Sequence, residues 1–378
     1  LYAPEVIDSF AQLAATGHVE FVSETYSNSL VSLSDEQLFR EQVEAHDKLI
    51  EQLFGQKPKV FRNTELIYSD ELGDLIYRMG FETIMTEGAK HILGWKSPNY
   101  IYCNALNPRQ KVLMRNYRFS DDLSFRFSNP AWNEYPLTAD KFAGWMTSTP
   151  ENEDVINIFI NYDTFGEVQP KRSGIFDFLN ALPGAVLKTG KLAFVTPSEA
   201  AKNFQPISAM HVLHPISWAD EERDLSAWLG NELQKEAFNN LYALKDQIKN
   251  CQNEVLLKDW NYLQANNHLY YMCTKFFSDG EVHKYYNPYT SPYEAFINYM
   301  NVLSDFTIRL NNEVPKNETQ QEISKLKEMI EIKTKKLEER EQELKKLKKE
   351  INSSASTEAS TKKTAPKRSA KSGTAKSA

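Results

Sequence analysis

The sequence predicts an α/β fold of strands wrapped by helices, and three observations carry that prediction. Short β-branched or aromatic runs alternate with helical patterns through residues 1–215, the mark of a parallel sheet covered by helices. No glycine-rich turn opens a helix, so a nucleotide-binding sheet is poorly supported and a (β/α) barrel fits better. Three polar triplets, Ser23–Glu24–Thr25, Asn63–Thr64–Glu65 and Asn161–Tyr162–Asp163, close strand-like runs, where a barrel carries its functional side chains.

The strand-like runs are Val19–Ser23, Lys59–Asn63, Phe81–Met85, Val112–Tyr117, Val155–Asn161 and Leu192–Val195. Helical periodicity falls at Glu5–Ala15, Asp35–Phe54, Asp70–Met79, Ala139–Met146 and Ile175–Asn180. From 216 to 312 the pattern becomes mostly helical. Helices are expected to open at Asp220 and Ser291, a long one to run from Asn231 to Ile248, and a loop to span Ser278–Pro292; together they read as a bundle. Pro315 then closes the folded body.

In residues 313–351, Ile323, Ile330, Leu337, Leu344 and Ile351 recur every seven positions. The companion row Leu326, Lys333, Arg340 and Leu347 is half charged, so a self-associating coiled coil over 323–351 and a solitary charged helix both fit. Residues 352–378 are rich in Ser, Thr, Lys and Ala with no apolar face, and are expected to be disordered.

With 41% hydrophobic residues the chain can bury a sizeable core. Its 21 Phe, 18 Tyr and 6 Trp suit either a bulky core or a carbohydrate cleft, where flat rings stack on sugars. The net charge is −7, but residues 353–378 hold six Lys/Arg against Glu358, about +5, leaving the rest near −12. An acidic body does not suit nucleic acid. Three scattered cysteines, Cys103, Cys251 and Cys273, support neither a disulfide framework nor a zinc site. There is no signal peptide and no run of membrane-spanning length, so a cytoplasmic protein without membrane contact is expected. His211 and His214 could form half a metal site, but no partner ligand lies near and structural histidines are the simpler reading. Neither a metal nor a cofactor is expected. Asp121–Asp122 fits a cleft wall or a turn, and Asp220–Glu221–Glu222 fits acidic residues at a helix N-terminus.

Several stretches together resemble glycoside hydrolase family 57, the α-amylase type. Phe61–Arg62–Asn63–Thr64–Glu65–Leu66–Ile67–Tyr68 is similar to the family's nucleophile region, and Asn161–Tyr162–Asp163–Thr164–Phe165–Gly166–Glu167 to its general acid/base segment. Gly17–Phe21 with Glu24–Ser27, Trp218–Asp220 with Arg223–Asp224 and Ala227–Asn231, His268–Met272, and Asp279–Gly280 through His283–Tyr285 extend the match over about residues 1–312. The resemblance implies an incomplete (β/α)7 barrel followed by a helical bundle, acting on α-glucan such as glycogen or starch. It implies Glu65 as nucleophile, Asn161 at the acid/base position, and Glu24, Tyr26, Asn28, Arg62, Asn63, Phe165, Trp218, Asn267 and His268 as substrate-binding residues.

The chemistry of these residues agrees in part. Retaining hydrolysis uses two carboxyl groups about 5–5.5 Å apart, one attacking the anomeric carbon and one protonating the leaving oxygen. Glu65 ends a buried strand beside Arg62, which suits a carboxylate that must stay ionised; pairing with Arg62 or capping the next helix would also explain it. Asn161, where the family has Asp, has no acidic proton. Asp163, where the family has Glu, could substitute, though from a displaced position. Asn28 and Val168 stand where relatives have His, and Asn267 where they have Asp. The family's His-Gln-Pro motif has no counterpart from Leu1 onward, so a fragment is expected. These departures predict a glucan-related protein of weak or absent activity. An active hydrolase or transferase, and a scaffold acting through the coiled coil, are the alternatives.

Overall fold

The computed structural model describes residues 3–275, 287–314 and, of the segment 326–345, residues 326, 329–330, 333–337, 340–341 and 344–345. The chain divides into two units, Leu1–Arg309 and Leu310–Ala378. The first is a mixed α/β body; the boundary expected near 215 lies inside it. In the second, the described residues are mostly helical, and the heptad positions Ile330, Leu337 and Leu344 are exposed. Ile323, Ile351 and the tail 352–378 lie outside the described residues.

The body opens with α1 (Pro4–Ala15) and α2 (Glu36–Phe54), the latter started by the Asp35 carboxylate, which accepts from the Leu38 amide, and stopped by Gly55 in the left-handed region. Strand β1 (Val60–Arg62), helix α3 (Asp70–Arg78, capped by Ser69) and strand β2 (Thr83–Glu87) follow. Next come α4 (Lys90–Leu93) and the strands β3 (Ile101–Asn104) and β4 (Lys111–Arg115). Helix α5 (Tyr117–Asp121) runs into a π-helical turn, Asp122–Arg126. Helices α6 (Ala139–Thr147), α7 (Ile175–Lys188) and α8 (Pro197–Asn203) and the two-residue strand β5 (Ala209–Met210) complete the α/β portion.

The sheet has the order β1-β2-β4-β3-β5, with β1, β2 and β4 parallel, β3 antiparallel to β4, and β5 parallel to β3. Its middle is almost wholly buried: Val60, Phe61, Ile84, Ile101, Tyr102, Val112, Leu113 and Met114 form the core. Val19–Ser23, expected as a strand, meets β1 only at Ser23, in an isolated parallel bridge with Ser23 N to Val60 O at 2.8 Å and Arg62 N to Ser23 O at 2.9 Å. Val155–Asn161 meets the end of β4 through Asn116 N to Asn157 O at 2.7 Å.

Four further local expectations need correction. Val155–Asn161 makes no ladder; instead Ile156, Ile158 and Ile160, alternating at strand period, pack on the cluster of Leu123, Phe127, Phe142 and Phe178. Leu192–Val195 is irregular, with Phe194 and Val195 exposed. No helix opens at Asp220: Asp220 and Arg223 take left-handed φ values of 53° and 51°, and Arg223 turns inward to Asp121. Helix α9 (Ser226–Leu229) starts only afterwards. The run from Asn231 breaks into α10 (Glu232–Tyr242) and α11 (Lys245–Lys249) at Leu244, which is buried. Helices α12 (Glu254–Leu263), α13 (Asn267–Tyr270) and α14 (Pro292–Glu313) follow; α14 begins where Ser291 Oγ accepts from the Glu294 amide. Most of the loop expected at 278–292, and the motif Asp279–Tyr285, lie outside the described residues. Among the described residues no helix is long and apolar enough to cross a membrane.

Candidate active site

The site is built around a turn that follows β1. Asn63 is extended and caps a single 3-10 turn, Thr64–Leu66, in which Glu65 (φ 56°) and Leu66 (φ 55°) both occupy the left-handed region. Side chains other than glycine are strained there, by about 1–3 kcal/mol each. The surroundings hold the turn. The Asn63 amide donates to Ile67 O and Ser32 Oγ, both at 3.1 Å. Thr25 and Thr64 hydroxyls meet at 2.8 Å, Thr86 Oγ1 donates to Leu66 O at 3.0 Å, and Trp218 N donates to Glu65 O at 3.3 Å.

The turn presents the Glu65 carboxylate to a cavity of about 1030 Å³. There the Trp218 indole N–H donates to Oε2, and Asn266, which accepts from the Trp228 indole N–H at 3.2 Å, lies on the same wall. Asn266 is placed by α13 and by Asn28, whose backbone carbonyl accepts both its N–H and its Nδ2–H at 3.0 Å. Desolvation pushes the Glu65 pKa above the ordinary carboxylate range; the Trp218 bond, the Arg62 charge and the Asn266 side chain oppose the rise, and Glu24 adds to it. Arg62 itself is paired with Glu24 at 2.7 Å.

Asn161, Tyr162 and Asp163 line the same cavity, as do Glu24, Arg62, Trp218 and Asn267. Asn161 is extended and precedes another 3-10 turn, Tyr162–Thr164. Asp163 opens to solvent at the concave wall. Partial desolvation raises its pKa, opposed by the Thr164 backbone and reinforced by Glu167. Of the other expected binding residues, Tyr26, Asn28, Asn63, Phe165 and His268 are not on the cavity wall. Asn28 and Asn63 act behind it through the hydrogen bonds just given. Phe165 packs on the core cluster, and His268 Nε2 bonds Tyr262 O at 3.0 Å, its pKa lowered by burial.

Beneath the cavity lies a buried quartet. Arg115 pairs with Glu87 at 3.0 Å and Asp121 at 2.5 Å, while Arg223 pairs with Asp121 at 2.9 Å and approaches Glu87 at 3.9 Å. Two carboxylates against two guanidiniums make the cluster formally neutral. Its remaining donors reach both cavity walls: Arg115 Nε bonds Phe159 O at 2.9 Å, and Arg223 Nη1 bonds Trp218 O. Asp121 is therefore part of a buried network rather than of the cleft surface, and Asp122 pairs with Arg126 at 2.6 Å away from it. Asp220 pairs with Lys275 at 3.0 Å rather than charging a helix terminus. His211 and His214 are exposed, and among the described residues no group of three or more His, Cys, Asp or Glu is placed to hold a metal ion. Asn266, Trp228, Phe125 and Tyr271, all on the cavity wall, are absent from the sequence-based set. Asn266 was within reach of that reading, since it adjoins Asn267 and His268; Phe125 carried no signal.

Comparison with known proteins places this arrangement. The family model for "Glycosyl hydrolase family 57" matches residues 1–212. A Methanocaldococcus jannaschii protein named "Putative alpha-amylase" is 43% identical over 324 residues, covering 83% of this chain and 68% of its own length. Among solved structures, a family 57 branching enzyme of Thermococcus kodakaraensis, determined with glucose, superposes with a TM-score of 0.59 at 15% identity, over 84% of this chain and 72% of that one. A branching enzyme of the same type from Pyrococcus horikoshii gives 0.59 at 14% identity, over 82% and 73%. These two likenesses concern the fold; the family match and the 43% identity decide membership. The chain belongs to glycosyl hydrolase family 57.

Proposed function

We propose that this chain is an α-amylase-like protein of α-glucan metabolism that binds glucan in the Glu65 cavity and cleaves it weakly or not at all. One observation carries the reading: Asn161, the residue at the acid/base position, lines the same cavity as Glu65. In retaining hydrolysis Glu65 would attack the anomeric carbon while a second group protonates the departing oxygen. An amide has no proton to give at that step, and the alkoxide that would otherwise leave is a strong base. Binding has no such requirement. Asn161 and Asn267 can exchange hydrogen bonds with sugar hydroxyls, and Trp218 and Tyr271 offer rings to sugar faces. The same reading takes Val19–Ser23, the sheet and Val155–Asn161 as parts of an incomplete (β/α)7 barrel, with the helices from Ser226 onward as its bundle.

A second reading makes Asp163 the proton donor. It is favoured by the position of Asp163 on the cavity wall and by the rise of its pKa, which keeps a proton available to higher pH. Two measurements on one preparation separate them. Co-sedimentation with glycogen together with background release of reducing sugar from soluble starch is expected. Release at the rate of an intact α-amylase, lost in both Glu65→Gln and Asp163→Asn, would establish the second reading instead.

A further inference from the structure

A second cavity, of about 910 Å³, lies among α4, the segment 96–99, α5 and α6, and shares no lining residue with the Glu65 cavity. The π-helical turn Asp122–Arg126 borders both: Asp122 and Arg126 line this one, Ser124 and Phe125 the other. We propose that it is a separate α-glucan-binding site, a proposal that rests on the α-glucan reading above and adds a second place on the body where the chain of sugars is held.

Three features of the wall fit a neutral sugar chain. First, Trp132 and Trp145 meet at 77° with ring centroids 6.0 Å apart, forming an aromatic corner. Both are only partly buried, so ring surface remains open to the apolar C–H face of a pyranose. Trp145 is fixed from behind by Phe142, at 6.1 Å, and by Lys141, whose ammonium sits 5.5 Å from its ring centroid. At the rim, between Gly94 and Lys96, which both line the cavity, Trp95 stands 93% exposed. A ring this exposed, between two lining residues, is open to contact by a polymer longer than the cavity.

Second, planar polar groups accompany the rings. Arg118 makes no ion pair among the described residues, and Arg126 commits its Nε to Asp122. Glu153 is anchored by a chain of buried amides, Asn116 Nδ2 to Asn99 Oδ1 at 2.9 Å and Asn99 Nδ2 to Glu153 Oε2. Its second oxygen can then accept from a hydroxyl, and the guanidiniums can donate to one. Third, charges of both signs are interleaved: Lys90, Lys96, Arg118 and Arg126 line the cavity with Asp122, Glu134 and Glu153, and Glu134 is paired with Lys141 at 2.7 Å. A phosphate-rich ligand would call for uncompensated positive charge, whereas neutral hydroxyls are served by donors and acceptors in balance.

The test titrates the full chain with maltoheptaose by calorimetry and runs it through native gels containing glycogen. Variants are Trp95→Ala, Trp145→Ala and, for the first cavity, Trp218→Ala. Two maltoheptaose sites are expected for the unmodified protein and one for Trp218→Ala. Trp95→Ala and Trp145→Ala should each weaken glycogen retention about three- to tenfold, the worth of one aromatic contact. Trp95 is exposed and its removal leaves folding untouched, so it decides the matter where Trp145→Ala is unfolded by circular dichroism. A single site, abolished by Trp218→Ala and insensitive to Trp95→Ala, overturns the second site and leaves the proposed function standing. No glucan binding by the unmodified chain overturns both, and a preference for an aromatic-rich peptide over maltoheptaose at this cavity overturns the second site alone.

Discussion

Two turns in this molecule start alike and end differently. Asn63 and Asn161 have nearly the same backbone angles (φ −73°, ψ 154° and φ −72°, ψ 149°), and each is followed by one turn of 3-10 helix. In the first turn Asn63, Thr64 and Leu66 are buried and Glu65 sits in a left-handed conformation held by hydrogen bonds from four other segments. In the second only Thr164 is buried and Tyr162 is 79% exposed. Tertiary structure thus fixes the Glu65 wall of the cavity tightly and the Asn161 wall loosely. A wall with few tertiary partners can change its side chain at little cost in stability, and that is the wall on which Asn161 stands.

The largest effect concerns catalysis on the loose wall. Hydrolysis of soluble starch should run at least ~10²–10⁴-fold below that of an intact family member, the usual range for a lost general acid. Asn161→Asp alone should leave it there, because a proton donor needs a fixed side chain and, among the described residues, no hydrogen bond orients the side chain at 161. Reducing-sugar assays on the two proteins check this; full recovery in Asn161→Asp would mean that the second turn is as well ordered as the first.

Next in size is the quartet that ties both walls to the sheet. Glu87→Leu leaves Arg115 and Arg223 buried against a single carboxylate and should destabilise the body by about 3–5 kcal/mol in denaturant unfolding. The same substitution should weaken glycogen binding, since Arg115 holds Phe159 and Arg223 holds Trp218. Destabilisation with unchanged affinity in the surviving folded protein would assign the quartet to stability alone.

How much of this was legible in the sequence follows from range. The Asn63–Thr64–Glu65 triplet at the end of β1 and the helix starts at Asp35 and Ser291 depend on neighbours a few residues away, and one sequence displays them; the left-handed turn at Glu65, held by Thr25, Ser32, Thr86 and Trp218, does not belong with them. The quartet joins Glu87 to Arg115 across 28 residues and Asp121 to Arg223 across 102, and opposite charges scattered along a chain name no partner. Strand β5, two residues long, has too little pattern to read. The left-handed Asp220 and Arg223 defeated the helix expected there because no glycine marked the turn; long-range pairs to Lys275 and Asp121 impose it. Likewise the sequence marks Asn28 and Asn63 as candidate binding residues, whereas their place behind the wall depends on contacts to Asn266 and Ile67.

A third, smaller effect tests the tight wall by pH. The folded Glu65 pKa is raised, so between its unfolded value, about 4.3, and its folded value the native state holds a proton that the unfolded state has lost. Stability from this group is full below that window and falls as pH rises through it. Glu65→Gln removes the titration. Its melting temperature should exceed that of the unmodified chain at neutral pH, with the gap closing toward pH 4. The difference between the two proteins is the quantity to follow, because Asp70, Glu87 and Asp163 are shifted in the same direction and cancel in it. A gap independent of pH would mean that Glu65 is not desolvated.

The smallest effect is expected where the comparison began. Asn161→Ala removes a side chain that makes no hydrogen bond among the described residues and is exposed. Substitutions at such surface positions usually change stability by no more than about 0.5 kcal/mol, and unfolding of this variant should stay within that range. Ile160 and Thr164, on either side, keep the segment in place through the core cluster and the Thr164 to Gln169 backbone bond, and neither depends on residue 161. Maltoheptaose affinity is the separate readout. If Asn161 meets a sugar hydroxyl, affinity falls by severalfold while the melting temperature holds. A drop in melting temperature comparable to that of Glu87→Leu would show that the second turn carries hidden tertiary constraint, and the two walls would then differ in chemistry alone.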